Sequence, residues 1–241
     1  MLGLKSRKKE KRQQLSEMAR KLVTVSDSKS IISEQFRTIR TNITFSMLDE
    51  DLKTILVTSS TSGEGKSTTA ANLGVVFAQE GKRVLIIDGD LRNPTLHQTF
   101  KTFNKVGLSN VLARKAPFHE AVQETFIVGL YVLTSGPIPP NPAELLSSTA
   151  MDTLILDTKK DFDIIIFDAP PVLIVSDAQI LSNKCDGTIL IANSGVVEKE
   201  VVQKATAILR ASQAKILGVV LNNYVSPSHK HYYDYYSYGE Q

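Results

Sequence analysis

Seven residues in one loop and three carboxylates elsewhere carry the chemistry of this chain. Ser62-Gly63-Glu64-Gly65-Lys66-Ser67-Thr68 follows an apolar run and opens a helical pattern. Gly63 and Gly65 free the backbone to turn successive N–H groups onto one anion, and the helix start adds its positive dipole end. Lys66 supplies an ammonium for β- and γ-phosphates, and the Ser67 hydroxyl can ligate magnesium. The usual G-x-x-x-x-G-K-[ST] spacing would put glycine at Ser60, so the loop is a variant. Asp88 and Asp90 close the run Val84-Leu85-Ile86-Ile87, and Asp168 closes Ile164-Ile165-Ile166-Phe167. Clustered carboxylates need a cation beside them, and Mg2+ bridging the phosphates of ATP answers that need. One such aspartate suffices to hold the ion; the Asp88/Asp90 pair suggests a further duty, such as taking the proton of an incoming hydroxyl. Arg92 has two readings, a phosphate clamp or an ion-pair partner for an aspartate.

These groups must be brought together by a sheet. Short β-branched runs at 54–58, 83–87, 130–134, 164–167, 187–192 and 216–222 alternate with helical segments, notably 66–79, 147–159 and 199–210. Continuous apolar strands separated by helices predict an α/β fold: one mostly parallel sheet with helices on both faces, a single domain. In such sheets ligands gather at the carboxyl ends of the strands, where the loop and all three aspartates fall. Asn222 or Asn223, at the end of the last strand, is the candidate for adenine recognition. Ahead of the sheet, Ile32, Phe36, Ile39, Ile43 and Met47 recur at helical spacing, entered through Ser26-Asp27-Ser28. With Ile32 at 0°, Glu34, Arg37 and Arg40 fall at about 200°, 140° and 80°, away from the stripe and free to meet another chain.

The 241 residues carry a net charge of +3 that hides an asymmetry. Residues 1–21 hold eight Lys/Arg against Glu10 and Glu17, so the remaining chain is mildly acidic. The basic arm, 1–26, reads as solvated and flexible, or as attracted to an anionic surface; an acidic body argues against nucleic acid. A single cysteine, Cys185, excludes a disulfide framework, and four histidines argue against a His-based metal site. No apolar stretch is long enough to span a membrane, and the start lacks a signal-peptide run, so the chain reads as cytoplasmic. Tyr232, Tyr233, Tyr235, Tyr236 and Tyr238 crowd a polar segment, 224–241, that shows no core-forming pattern. They read as phosphate acceptors or as a partner-binding end.

The set resembles the bacterial tyrosine kinases of capsule and exopolysaccharide operons, in their cytoplasmic Gram-positive form. The resemblance rests on the loop Ser59 to Thr68, on Ile86-Ile87-Asp88-Gly89-Asp90-Leu91-Arg92, on Ile165-Ile166-Phe167-Asp168-Ala169-Pro170 and on the tyrosine cluster. It extends to Glu34-Gln35-Phe36-Arg37-Thr38-Ile39-Arg40, which fits the family's E-x-x-R-x-x-R oligomerisation signature. Ser62 departs from the proline common there. The resemblance implies a P-loop NTPase-like kinase domain over 27–223, with an oligomerisation helix at 27–48. It implies Lys66 on the nucleotide phosphates, and Ser67 with Asp168 on magnesium. Asp88 would be the base toward the tyrosine hydroxyl and part of the metal site, with Asp90 in support. It further implies a homo-oligomeric ring, autophosphorylation, protein tyrosine substrates and a membrane adaptor, the polysaccharide co-polymerase, whose cytoplasmic tail recruits the kinase to the inner membrane face. Two other readings share the loop. Partition and division-site ATPases switch by nucleotide-driven dimerisation, but carry a lysine near the place of Thr61. A phosphoacceptor scaffold would bind ATP for assembly alone.

Overall fold

The computed structural model describes residues 22–47 and 52–224. The arm 1–21 and the five clustered tyrosines lie outside the described residues. Seven strands form one sheet: β1 (Thr54–Ser59), β2 (Val84–Asp88), β3 (Val122–Glu124), β4 (Leu130–Leu133), β5 (Ile164–Asp168), β6 (Gly187–Asn193) and β7 (Ile216–Asn222). Their order is β3-β4-β2-β5-β1-β6-β7, parallel throughout except for β3, which runs antiparallel to β4 at the edge. β3 is absent from the sequence reading because three half-exposed residues are too few to show a period.

The strand residues alternate between two cores. Leu85, Ile87, Ile165 and Phe167 face one side; Val84, Ile86, Ile164 and Ile166 face the other. On the second side lies the helix α3 (Lys66–Gln79), whose Leu73, Val76 and Phe77 are fully or almost fully buried. The first side is covered by α7 (Pro142–Ser147), α8 (Thr149–Asp161) and α9 (Asp177–Lys184), with α10 (Lys199–Ala211) beside them. The remaining helices are α1 (Val23–Ser26), α2 (Ile31–Met47), α4 (Leu96–Phe100), α5 (Leu108–Leu112) and α6 (Phe118–Ala121). Both faces of β1, β2 and β5 are therefore dry, which is why their sequences are unbroken apolar runs.

Three expectations at the amino end need correction. The domain begins before residue 27: Thr24 of α1 is buried and its amide and hydroxyl donate to Asn72 Oδ1 at 3.1 and 2.8 Å. The cap of α2 is Ser30, whose hydroxyl accepts the Ser33 amide at 3.2 Å, not Ser26-Asp27-Ser28. Nor does the buried face of α2 centre on Ile32, which is 53% exposed. Ser33 and Ile43 are buried, and Phe36 and Ile39 pack on the core, so the face is rotated toward Ser33. That rotation carries Arg40 onto the domain. Its Nη1 donates to the Val76 carbonyl at 3.0 Å, and its Nε lies 3.6 Å from Glu80. Arg37 pairs with Glu34 and donates to the Ser28 carbonyl. Arg40 is thus engaged within its own chain, not free as the helical wheel suggested.

At the opposite end of the sheet from the site, Asp186 ties three elements together. Its carboxylate accepts the amides of Lys53 and Thr54, the Thr54 hydroxyl, and Lys159 Nζ at 2.7 Å. Although partial burial works the other way, these donors hold its carboxyl below the ordinary range. The bonds therefore stabilise the fold at neutral pH, and that contribution fades as pH falls through the carboxylate range. We expect Asp186→Ala to cost about 2 kcal/mol and lower the melting temperature at pH 7 by about 4–8 °C. The difference between variant and parent should shrink in acid, as read by thermal denaturation at pH 7 and pH 3.5.

Candidate active site

The loop from Ser59 to Lys66 joins β1 to α3 at the carboxyl edge of the sheet. Gly63 and Gly65 hold φ of 85° and 93°, left-handed values that only glycine adopts without strain. Gly65 is doubly constrained, because a Cβ there would stand 2.2 Å from Asn222 Nδ2. Ser62, Gly63, Gly65, Lys66, Ser67 and Thr68 line a cleft of about 570 Å³. Across it stand Asp90, Asn93, Thr95, Thr99 and Pro171.

Lys66 is the hub. Its Nζ lies 3.0 Å from Asp90 Oδ2, 3.4 Å from Asp168 Oδ1 and 3.3 Å from Ser67 Oγ. Burial works against its charge, but Asp168 and Asp90 outweigh burial and hold the ammonium above its usual value. Asp88 and Asp168 stand opposite each other in the β2–β5 register, both fully buried. Asp88 Oδ2 accepts the amides of Thr95 and Leu96, each at 3.0 Å, which fixes the start of α4. Burial, then the Asp168 charge, push the Asp88 carboxyl up to about 8, with the Leu96 amide and Lys66 pulling it back. Burial likewise raises Asp168, against the pull of Lys66 and the Ser67 hydroxyl.

Two oxygens in this cluster, Asp88 Oδ1 and Asp168 Oδ2, are buried and without a hydrogen-bond partner. Orphaned carboxylate oxygens beside a serine hydroxyl suit a hard cation. Among the described residues no three acidic, histidine or cysteine side chains form a metal cage. Mg2+ takes one or two protein carboxylates and completes its shell with phosphate and water.

The side chains of two of the expected nucleotide contacts, Glu64 and Asn222, brace the loop itself. Glu64 turns its carboxylate inward, 2% exposed, where it accepts the Thr61 amide and hydroxyl and the Asn193 amide. It shapes the loop from behind and does not face the cleft. Asn222 donates to the Glu64 carbonyl at 2.9 Å, bracing the same turn. Asn223 Nδ2 donates to Asn193 Oδ1 and its amide to Asn222 Oδ1, each at 3.0 Å. Of the two readings of Arg92, the structure takes the ion pair. Its Nε and Nη2 donate to the two oxygens of buried Asp177 at 2.9 and 3.0 Å, which raises the guanidinium pKa.

Sequence reasoning missed Asn93, Thr95, Thr99, Pro171 and Asp177. One signal was present: Asp90 accepts the Asn93 amide at 2.9 Å, the turn that an aspartate three residues before an asparagine favours. Asp177 left none, since its partner lies 85 residues away.

A family model described as an AAA domain matches residues 52–211. The tyrosine-protein kinase YwqD of Bacillus subtilis is 51% identical, covering 90% of this chain and 92% of its own length. The putative tyrosine-protein kinase CapB of Staphylococcus aureus is 40% identical, over 91% and 99%. Among solved structures, the chimerical protein CapA2B2 superposes with a TM-score of 0.82 at 43% identity, over 85% of this chain and 90% of that one. The kinase domain of Escherichia coli tyrosine kinase ETK follows at 0.81 and 30%, over 86% and 82%. The cell division ATPase MinD of Pyrococcus furiosus reaches 0.62 at 27%, over 75% and 78%.

Because a methyl at residue 65 would meet both the forbidden φ and the Asn222 amide, Gly65→Ala should leave the fold intact and spoil the cradle. We expect ATP affinity to fall at least about 100-fold by calorimetry, with an unchanged far-ultraviolet circular dichroism spectrum.

Proposed function

The chain belongs to the bacterial tyrosine-protein kinases, and from that premise we propose that it transfers the γ-phosphate of ATP to tyrosines of its own segment 224–241 and of other proteins, and so regulates capsular or extracellular polysaccharide synthesis and export. The single observation that carries the reading is the Lys66–Asp90–Asp168 cluster at the mouth of the loop, with Asp88 directly beneath it. The family names of the relatives support the acceptor. MinD shares the frame at a lower score and a lower identity.

In this mechanism the amides of 62–67 and the Lys66 ammonium receive the phosphate chain of ATP. Ser67 and Asp168, with Asp88 beside them, would hold magnesium, which would supply positive charge against the β- and γ-phosphates. A phenol with a pKa near 10 is a poor nucleophile at neutral pH, so alignment and charge neutralisation supply most of the rate. The tyrosine oxygen attacks the γ-phosphorus, the bond to the β–γ bridging oxygen breaks, and ADP departs. Asp88 takes the phenolic proton. The Thr95 and Leu96 amides occupy Oδ2, and Oδ1, buried without a hydrogen-bond partner, is the atom left to receive it. Asp90 steadies Lys66 from the cleft side. Asp177 fixes Arg92 at the rim of the same strand end.

The quaternary and cellular roles belong to the same proposal. Subunits assemble into a homo-oligomeric ring through Glu34, Arg37 and Arg40 of α2, with Arg40 exchanging its Val76 and Glu80 contacts for the neighbour. A membrane adaptor recruits the ring to the inner face of the membrane from the cytoplasm. The match to CapA2B2, a chimera whose name joins an A and a B part, supports a second component. Among the described residues no helix is long and apolar enough to cross a membrane.

Incubation with labelled ATP and magnesium, with the adaptor's cytoplasmic peptide present, should give phosphotyrosine on the chain; Lys66→Met should lower it at least about 100-fold. ATP turnover without phosphotyrosine would favour the switch, and nucleotide binding with neither would favour the scaffold. A second outcome concerns assembly. The segment 224–241 carries Lys230 against Asp234 and Glu240, and five phosphates would bring it to roughly −8 to −11. Light scattering should show the unmodified ring dissociating on full phosphorylation.

A further inference from the structure

One strand away from the aspartates, the carboxyl edge of the sheet carries a second cleft that the mechanism does not use. It encloses about 540 Å³ between α5 and the segment Pro137–Asn141, with Glu144 and Leu145 of α7 at its side. β4 lies beside β2 with Leu133 opposite Ile87, so the chain leaving β4 rises next to Asp88 and Asp90. α7 packs on α9, whose first residue is Asp177, the partner of Arg92. The cleft therefore flanks the reaction centre on the side away from β1 and the phosphate loop.

Its walls are built. Leu108 and Ser109 donate their amides to the Thr134 and Ser135 carbonyls at 2.7 and 2.9 Å. Ser109 Oγ donates to the Pro137 carbonyl at 2.7 Å, and Asn104 Oδ1 accepts the Gly136 amide at 2.8 Å. A Cβ on Gly107 would stand 2.2 Å from the Thr134 carbonyl oxygen, so wall and rim touch through their backbones. The rim itself is Pro137, Ile138, Pro139 and Pro140, three rings without a backbone donor and an isoleucine 64% exposed. Such a surface offers apolar faces to an aromatic ring, the same pairing by which proline-rich peptides dock on aromatic grooves. At the far end, the Lys115 ammonium is exposed and makes no ion pair or hydrogen bond among the described residues.

The chain beyond Tyr224 supplies the matching chemistry. β7 ends on the same edge, five strands from β4, a distance of about 24 Å. The eight residues from Tyr224 to Tyr232 span up to about 29 Å. Successive tyrosines of the cluster stand one or two residues apart and alternate ones three, and a spacing of two or three covers about 7–10 Å in extended chain. That interval is one to two strand widths, and β4, whose exit leads to the cleft, is one strand from β2 and two from β5. The segment's net negative charge suits Lys115.

Resting on the kinase reading above, we infer that this proline-rimmed cleft is a subsite for a second tyrosine of segment 225–241. One phenol ring packs on Pro137, Ile138 and Pro139 while the hydroxyl of a tyrosine two or three residues away faces the γ-phosphate. The clustering of tyrosines is then a recognition feature: each acceptor is presented by a neighbour's ring. Phenylalanine can replace the presenting residue, and alanine cannot.

The test separates binding from transfer. A dye-labelled peptide of residues 225–241 is titrated by fluorescence anisotropy into the full chain carrying alanines at Tyr232, Tyr233, Tyr235, Tyr236 and Tyr238. We expect Ile138→Asp and Lys115→Glu each to weaken peptide binding at least fivefold, with ATP affinity within twofold of the parent. In steady-state transfer, a peptide keeping Tyr235 among phenylalanines should show a KM at least fivefold below one keeping Tyr235 among alanines, at similar kcat. Ile138→Asp should erase that difference. Peptide binding indifferent to both substitutions, or equal KM for the two peptides, overturns the subsite. Peptide binding that needs Ile138 and Lys115, with no transfer to any peptide, leaves the subsite standing and overturns the kinase reading instead.

Discussion

The structure depends on one electrostatic balance: a single buried ammonium held among three carboxylates. Asp88, Asp90 and Asp168 sit at the ends of two neighbouring strands, where apolar cores above and below deny them water. Unpaired, such a group would repel itself and protonate. Lys66 meets two of its members directly and is itself kept charged by them. Two backbone amides partly satisfy the third. Even so, two oxygens stay unsatisfied. The cluster therefore keeps acceptor capacity that its own chain does not fill, on one oxygen each of the paired Asp88 and Asp168.

The frame exists to hold that balance in register. β2 and β5 pair so that Asp88 and Asp168 fall side by side, and β1 delivers the loop between β5 and β6. The helix that carries Lys66 buries Leu73, Val76 and Phe77 against the sheet, so the lysine starts from a rigid base. Little of this needs the irregular parts of the chain. The short helices between β2 and β5 do other work: α4 receives Asp88 as its cap, and α5 and α7 shape the second cleft.

Much of the fold was legible because its signals are local. The apolar runs of β1, β2 and β5 and the glycine–lysine turn mark the sheet, its layers and the cleft, and the helix 66–79 appears with the bounds read from sequence. The family likeness of the relatives agrees with that reading. What escaped was set by tertiary contact. Ile32 looked like the centre of a buried stripe, yet the domain accepted the face one residue over and took Arg40 with it. Glu64 reads as a nucleotide contact through its place in the phosphate-loop motif, which says nothing of where its carboxylate goes. Its real partners, Thr61 and Asn193, become visible only once β6 lies beside the loop. Asp177 and Arg92 meet across 85 residues, a distance no pattern of spacing encodes.

The asparagines at the end of β7 have a mechanical consequence. Asn222 grips the carbonyl of Glu64, Glu64 grips the amide of Asn193, and Asn193 is gripped by Asn223, the residue from which the tyrosine-bearing segment departs. Covalent continuity makes that closed circuit the mooring of the segment. Traction along it is delivered first to two side-chain amides and, through them, to the turn that wraps phosphate. The end of β7 is therefore tethered to the loop that wraps phosphate.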